Sequence, residues 1–150
     1  MDYSCCRFTL ITNTSINTNA DSEISCAEAT AFTGTINIFN KGIFDLTGIE
    51  SFINITGLNC ANNSLNSLDI SANTALTTLG CGFNKLASLD VSSNLSLETL
   101  TCMNNRISSL DVSANSALVD LICHTNYLSS LNVANGNNTA FTSFSATSNA

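Results

Sequence analysis

Residues 58–94 read LNCANNSLNSLDISANTALTTLGCGFNKLASLDVSSN, and the second half of that stretch repeats the first. Leu58-Asn59-Cys60 returns as Leu79-Gly80-Cys81, and Leu68-Asp69-Ile70 returns as Leu89-Asp90-Val91, 21 residues later each time. The same frame continues at Leu100-Thr101-Cys102 and Leu121-Ile122-Cys123. Each copy holds Leu/Ile-x-x-Leu-x-Cys-x-x-Asn-x-Leu/Ile, followed by Leu-Asp/Asn-Val/Ile. A period of this length marks a chain wound into coils, each burying its apolar edge only by stacking on its neighbours.

Each repeat position then has a task. Leu-x-Cys alternates as a short strand does, with Leu and Cys inward and the residues between them outward. Cys60, Cys81, Cys102 and Cys123 form a ladder spaced 21, 21 and 21. Zinc sites need ligand pairs two to four residues apart, and the ladder has none. It reads as a buried file of small apolar thiols. Asn63, Asn84, Asn105 and Asn126 fall where the chain leaves the strand, and their amides can satisfy backbone groups in the turn. A second series, Asn73, Asn94 and Asn115, closes the opposite turn. The segment between is too short for a full helix, so a short strand or extended turn is expected there, with Leu68, Leu89, Leu110 and Leu131 inward. Asp69, Asp90 and Asp111 suit Asx-type turns. Phe141, Phe144, Ala146 and Asn149 take the Leu, Leu, Cys and Asn places of the last copy, larger and smaller side chains offsetting each other. Upstream, Ile36, Ile38, Ile43 and Leu46 fit the same frame, and Phe52 is expected to plug a widened first coil.

These motifs resemble the leucine-rich repeat family, and more narrowly the short-repeat proteins secreted by Bacteroidetes, in which LTSLDVS alternates with LxxLxC. The resemblance covers residues 33–150. It implies an α/β-type leucine-rich repeat solenoid of about five coils, almost all short parallel strands with turns and little helix, from a larger exported protein. Residues 1–32 form a small N-terminal cap.

Within the cap, residues 17–28 resemble the calcium loop of an EF-hand or dockerin: Asn17, Asn19, Asp21, Glu23 and Glu28 stand at the ligand positions. Asn replaces the usual Asp at the first position, and Ser22 replaces the glycine of the sharp turn. Two readings stand, a calcium site and a metal-free cap. Calcium is the one cofactor the sequence suggests. For Cys26 two readings stand as well, a disulfide with Cys5 or Cys6 and a free thiol.

Composition narrows the function. The 150 residues carry a net charge of −7 with four Lys plus Arg, so a nucleic-acid partner is excluded on charge. No apolar run reaches membrane-spanning length. The start lacks the features of a signal peptide, while residues 139–150 begin another copy and stop inside it. The expectation is a secreted or cell-surface protein represented by a fragment without its signal peptide. No nucleophile–base pair, carboxylate pair or phosphate loop recurs. His124 is the one histidine, and its neighbour Cys123 faces the core. The chain therefore reads as a non-catalytic binding or spacer module for a protein or glycan, or else as an accessory segment of a larger secreted enzyme. The larger outward residues, Phe83, Met103, Arg106, Asp120, Ile122, His124 and Tyr127, are the expected binding patch on the concave face.

Overall fold

The computed structural model describes residues 24–149. A short helix α1 (Cys26–Ala31) comes first, then strand β1 (Gly34–Asn37). A 3-10 turn (Ile49–Ser51) follows, with β2 (Ile55–Asn59), β3 (Thr78–Gly80) and β4 (Thr99–Thr101). The remaining strands are β5 (Ser109–Asp111), β6 (Asp120–Ile122), β7 (Ser130–Asn132) and β8 (Ser143–Ser145), with a second 3-10 turn at Asn138–Ala140.

The strands form a parallel solenoid. β1, β2, β3, β4, β6 and β8 lie side by side in one sheet. Leu58, Leu79, Leu100, Leu121 and Phe144 pair in strict register along it. β5 and β7 pair on the opposite side of the coils, at the Ser-Leu-Asp/Asn segments, where a short strand was expected. Leu89 and Leu110 are buried there, while Leu68 and Leu131 pack partly buried against the core. Ile70, Val91 and Val112, two residues further, are fully enclosed.

Two files of asparagine hold the turns. In the first, Asn84 Nδ2 donates to Cys60 O, one coil back, and to Cys81 O in its own coil, while its Oδ1 accepts from Leu65 N. Asn63, Asn105 and Asn126 repeat the pattern, and Asn149 accepts from Leu128 N. In the second, Asn94 Nδ2 donates to Ile70 O and Asn73 O, and Asn115 to Val91 O and Asn94 O. Asn135 joins this file through Asn115 O. The amide is a donor pair and an acceptor on one short stem, which lets one side chain stitch two coils together.

The two ends differ from each other. Phe52 is fully buried, with its ring edge-on to Phe32 at 6.4 Å. Phe144 takes the leucine slot but is 50 % exposed, resting against Phe141 at 5.5 Å. It is not a compensating core residue, because within the described residues a coil covers it on one side only.

Candidate binding face

The sheet presents three outward columns. The first runs Thr35, Gly57, Thr78, Thr99, Asp120 and Ser143. The second runs Asn37, Asn59, Gly80, Thr101, Ile122 and Ser145. The third continues the register past the strand ends as Phe39, Ala61, Gly82, Met103, His124 and Thr147.

The seven residues expected to form one patch divide into three groups. Asp120, Ile122 and His124 alternate along one coil and share the sheet face, with Met103 beside His124 in the third column. Phe83 sits at the bend that ends this face. Arg106 and Tyr127 come after the bend, where Arg106 N bonds to Leu86 O and Tyr127 N to Ile107 O. Met103 is also partly committed: a Cβ placed on Gly82 would lie 3.2 Å from its Sδ, so the thioether covers that glycine. Asp120 accepts from Thr142 Oγ1, and His124 Nδ1 lies 2.9 Å from Thr125 Oγ1.

The bend has its own signature. Asn40, Asn62, Phe83, Asn104, Thr125 and Ser148 all have φ between 54 and 57°. This is the left-handed region, which asparagine tolerates and bulky or β-branched residues adopt at a cost of roughly 1–2 kcal/mol. Phe83, 48 % exposed, holds a place that asparagine fills in three other coils. The asparagines at that position carry the signal, and Phe83, Thr125 and Ser148 are the departures from it.

A hollow of about 300 Å³ lies on the same face among Thr35, Phe39, Asn59, Thr78, Gly80 and Thr101. It occupies the coils where the columns carry their smallest residues.

Behind the sheet, Cys60, Cys81, Cys102 and Cys123 are buried free thiols in register. Burial pushes the Cys60 and Cys102 thiols up to about 12 and Cys123 up to about 11. Cys81 is also raised well above its usual value, by burial first and then by the neighbouring Cys102 and Cys60. A thiol so placed stays protonated and is a poor nucleophile. The folded state thus keeps protons that the unfolded chain releases near pH 9, so stability present below pH 9 is lost as pH rises toward 12. Urea midpoints are expected to fall between pH 8 and pH 11, and a Cys81→Val, Cys102→Val double variant is expected to fall less.

On the opposite side, Asp45, Asp69, Asp90 and Asp111 each accept from the backbone N–H two residues on. Bonds from Thr47, Ser71, Ser92 and Ser113 hold these carboxyls below the usual range. These are the expected Asx turns, with Asp45 added. Among the described residues, no group of three or more His, Cys, Asp and Glu is placed to hold a metal ion, and no helix is long and apolar enough to cross a membrane.

Of the suggested calcium ligands, Asn17, Asn19, Asp21 and Glu23 lie outside the described residues. Glu28, the fifth, takes part in a helix cap. Its Oε2 accepts from Ser25 N at 3.0 Å, and Ser25 Oγ accepts from Glu28 N at 3.2 Å, a capping box that starts α1. The Ser-x-x-Glu spacing at 25–28 signals it in the sequence. Cys26 is disulfide-bonded, but Cys5 and Cys6 lie outside the described residues.

The fold is similar to three solved structures from Listeria monocytogenes. The functional domain of InlJ, described as including a cysteine ladder, shares 33 % identity at a TM-score of 0.61, over 79 % of this chain and 31 % of that one. Internalin C2 shares 22 % identity at a TM-score of 0.66, over 90 % and 62 %. The internalin inlF shares 23 % at 0.58, over 83 % and 37 %. At their identities the last two show the fold alone. The chain spans less than two thirds of each of these structures. No family model matches the chain, and no curated protein matches it.

Proposed function

The chain is a leucine-rich repeat solenoid, and on that basis we propose that it is a non-catalytic protein-binding module working outside the cytoplasm. The observation that carries this is Phe83. An exposed aromatic ring occupies a left-handed position where asparagine serves the fold better. Backbone strain kept at an exposed aromatic points to contact with a partner. Tyr127, 59 % exposed, follows Arg106 in the same position of the next coil and extends the surface beyond the bend. Tyrosine and arginine are the residue types that anchor protein interfaces. The Cys26 disulfide supports an oxidising compartment. The similarity to internalins supports the repeat architecture as a binding scaffold.

Phe83→Asn separates the two roles of this position. It is expected to stabilise the fold by about 1 kcal/mol in urea titration. It is also expected to weaken capture of the chain's binders from an array of extracellular protein domains. Binders that hold Phe83→Asn as tightly as the original chain would sink the proposal.

A further inference from the structure

From the hollow at Gly80 we infer a binding site for an uncharged sugar ring, a single pyranose of a neutral glycan. This stands apart from the protein-binding surface, since it uses none of Phe83, Arg106 or Tyr127.

The hollow is made by side-chain size. The third column reads Phe39, Ala61, Gly82, Met103: large, small, small, large. The second column places Gly80 between Asn59 and Thr101. Phe39 and Met103 thus stand three strand spacings apart, about 14 Å; the Met103 thioether leans over Gly82, and the hollow is the part left open between Phe39, Ala61 and Gly80. The resulting volume of about 300 Å³ is at the small end of ligand pockets.

The chemistry of the walls selects the occupant. None of the lining residues carries a charge, so a phosphate, a carboxylate or an ammonium group would find no counter-charge there. Phe39, 49 % exposed, offers an aromatic face. Among the described residues, the hydroxyls of Thr35, Thr78 and Thr101 and the Asn59 Nδ2 make no hydrogen bond, while Asn59 Oδ1 accepts from Ala61 N. One apolar wall with several free hydroxyl and amide groups matches a pyranose, which has an apolar C–H face and a rim of hydroxyls. A purely apolar ligand would leave those polar groups unpaired, a desolvation cost that a sugar avoids.

The repeat supplies a clean disruption. Ile122 occupies the Gly80 column two coils away, so the sheet accepts isoleucine there. A Cβ on Gly80 meets nothing closer than Asn59 Oδ1 at 3.4 Å. Gly80→Ile therefore fills the hollow and spares the fold, and Phe39→Ala removes the wall.

The experiment is saturation-transfer NMR on the intact chain with methyl glucoside, methyl mannoside, methyl galactoside and N-acetylglucosamine, with glucuronic acid and glucosamine as charged controls. At least one neutral pyranose is expected to bind with a dissociation constant of the order of 1 mM, and to lose about tenfold or more in both variants. Thermal melts of both variants are expected to match the original chain, and Phe39→Ala decides should Gly80→Ile melt early. Absence of transfer from every neutral sugar, equal binding by folded Gly80→Ile or by Phe39→Ala, or preference for a charged control would each overturn the assignment.

Discussion

Replacing Asn84 and Asn105 together by alanine is expected to destabilise the chain by more than the two single substitutions added. Asn105 Oδ1 accepts from Leu86 N, and its Nδ2 donates to Cys81 O and Cys102 O. Cys81 O, however, also accepts from Asn84, and Cys102 O from Asn126. Asn105→Ala alone therefore strips one group completely, the buried Leu86 N–H, and thins the service of two carbonyls. An orphaned buried group costs about 1–3 kcal/mol and each of the two lost carbonyl bonds about 1 kcal/mol, giving about 3–5 kcal/mol for the single change. In the double variant Leu65 N and Leu86 N are both stripped, and Cys81 O loses both of its asparagine donors. That last loss occurs only when both partners are gone, so a coupling of about 1–2 kcal/mol is expected on a double-mutant cycle in urea. Strict additivity would show that the shared carbonyl is satisfied by something else. The second file should be more tolerant, because the Oδ1 atoms of Asn73, Asn94 and Asn115 have no hydrogen-bond partner among the described residues.

The second large effect is expected at Phe52→Ala, about 3–5 kcal/mol by denaturant titration. The ring is fully enclosed and its partner Phe32 ends α1. Its carbonyl also accepts from Asn73 Nδ2, so a collapse around the missing ring disturbs the first link of the second asparagine file. The loss is expected to be local in hydrogen exchange: amides of α1 and β2 should open first while those of β6 keep their protection. Uniform loss across all coils would show that the first coil is not an independent cap. Phe52→Leu, which keeps most of the apolar volume, is expected to cost less.

Most of the architecture was legible because stacking forces a period onto the sequence. The 21-residue spacing alone places Cys60, Cys81, Cys102 and Cys123 in one file and assigns the asparagines to turns, and the register bears this out. The site was less legible, for three physical reasons. A bend of the backbone between Met103 and Arg106 is invisible to spacing, so residues either side of it looked like one surface. A search for large side chains passes over Ala61 and Gly80, although a cavity is made where side chains are missing. Glu28 fits two motifs that share an acidic residue early in a helix, and the capping box with Ser25 is the one visible in the described residues. Phe83 was singled out for its size, but the meaning of its position comes from φ.

The asparagine files also bear on how such a chain changes over generations. Each amide reaches one coil back and no further, so every coil carries the same plug and the same socket. A duplication or deletion of one 21-residue unit rejoins plug to socket and leaves both files unbroken. The solenoid can therefore lengthen or shorten in steps of about 4.8 Å without redesign of its interior. Copies can then drift in their outward columns alone, so that coils of one backbone come to carry a bare glycine in one place and an isoleucine in another.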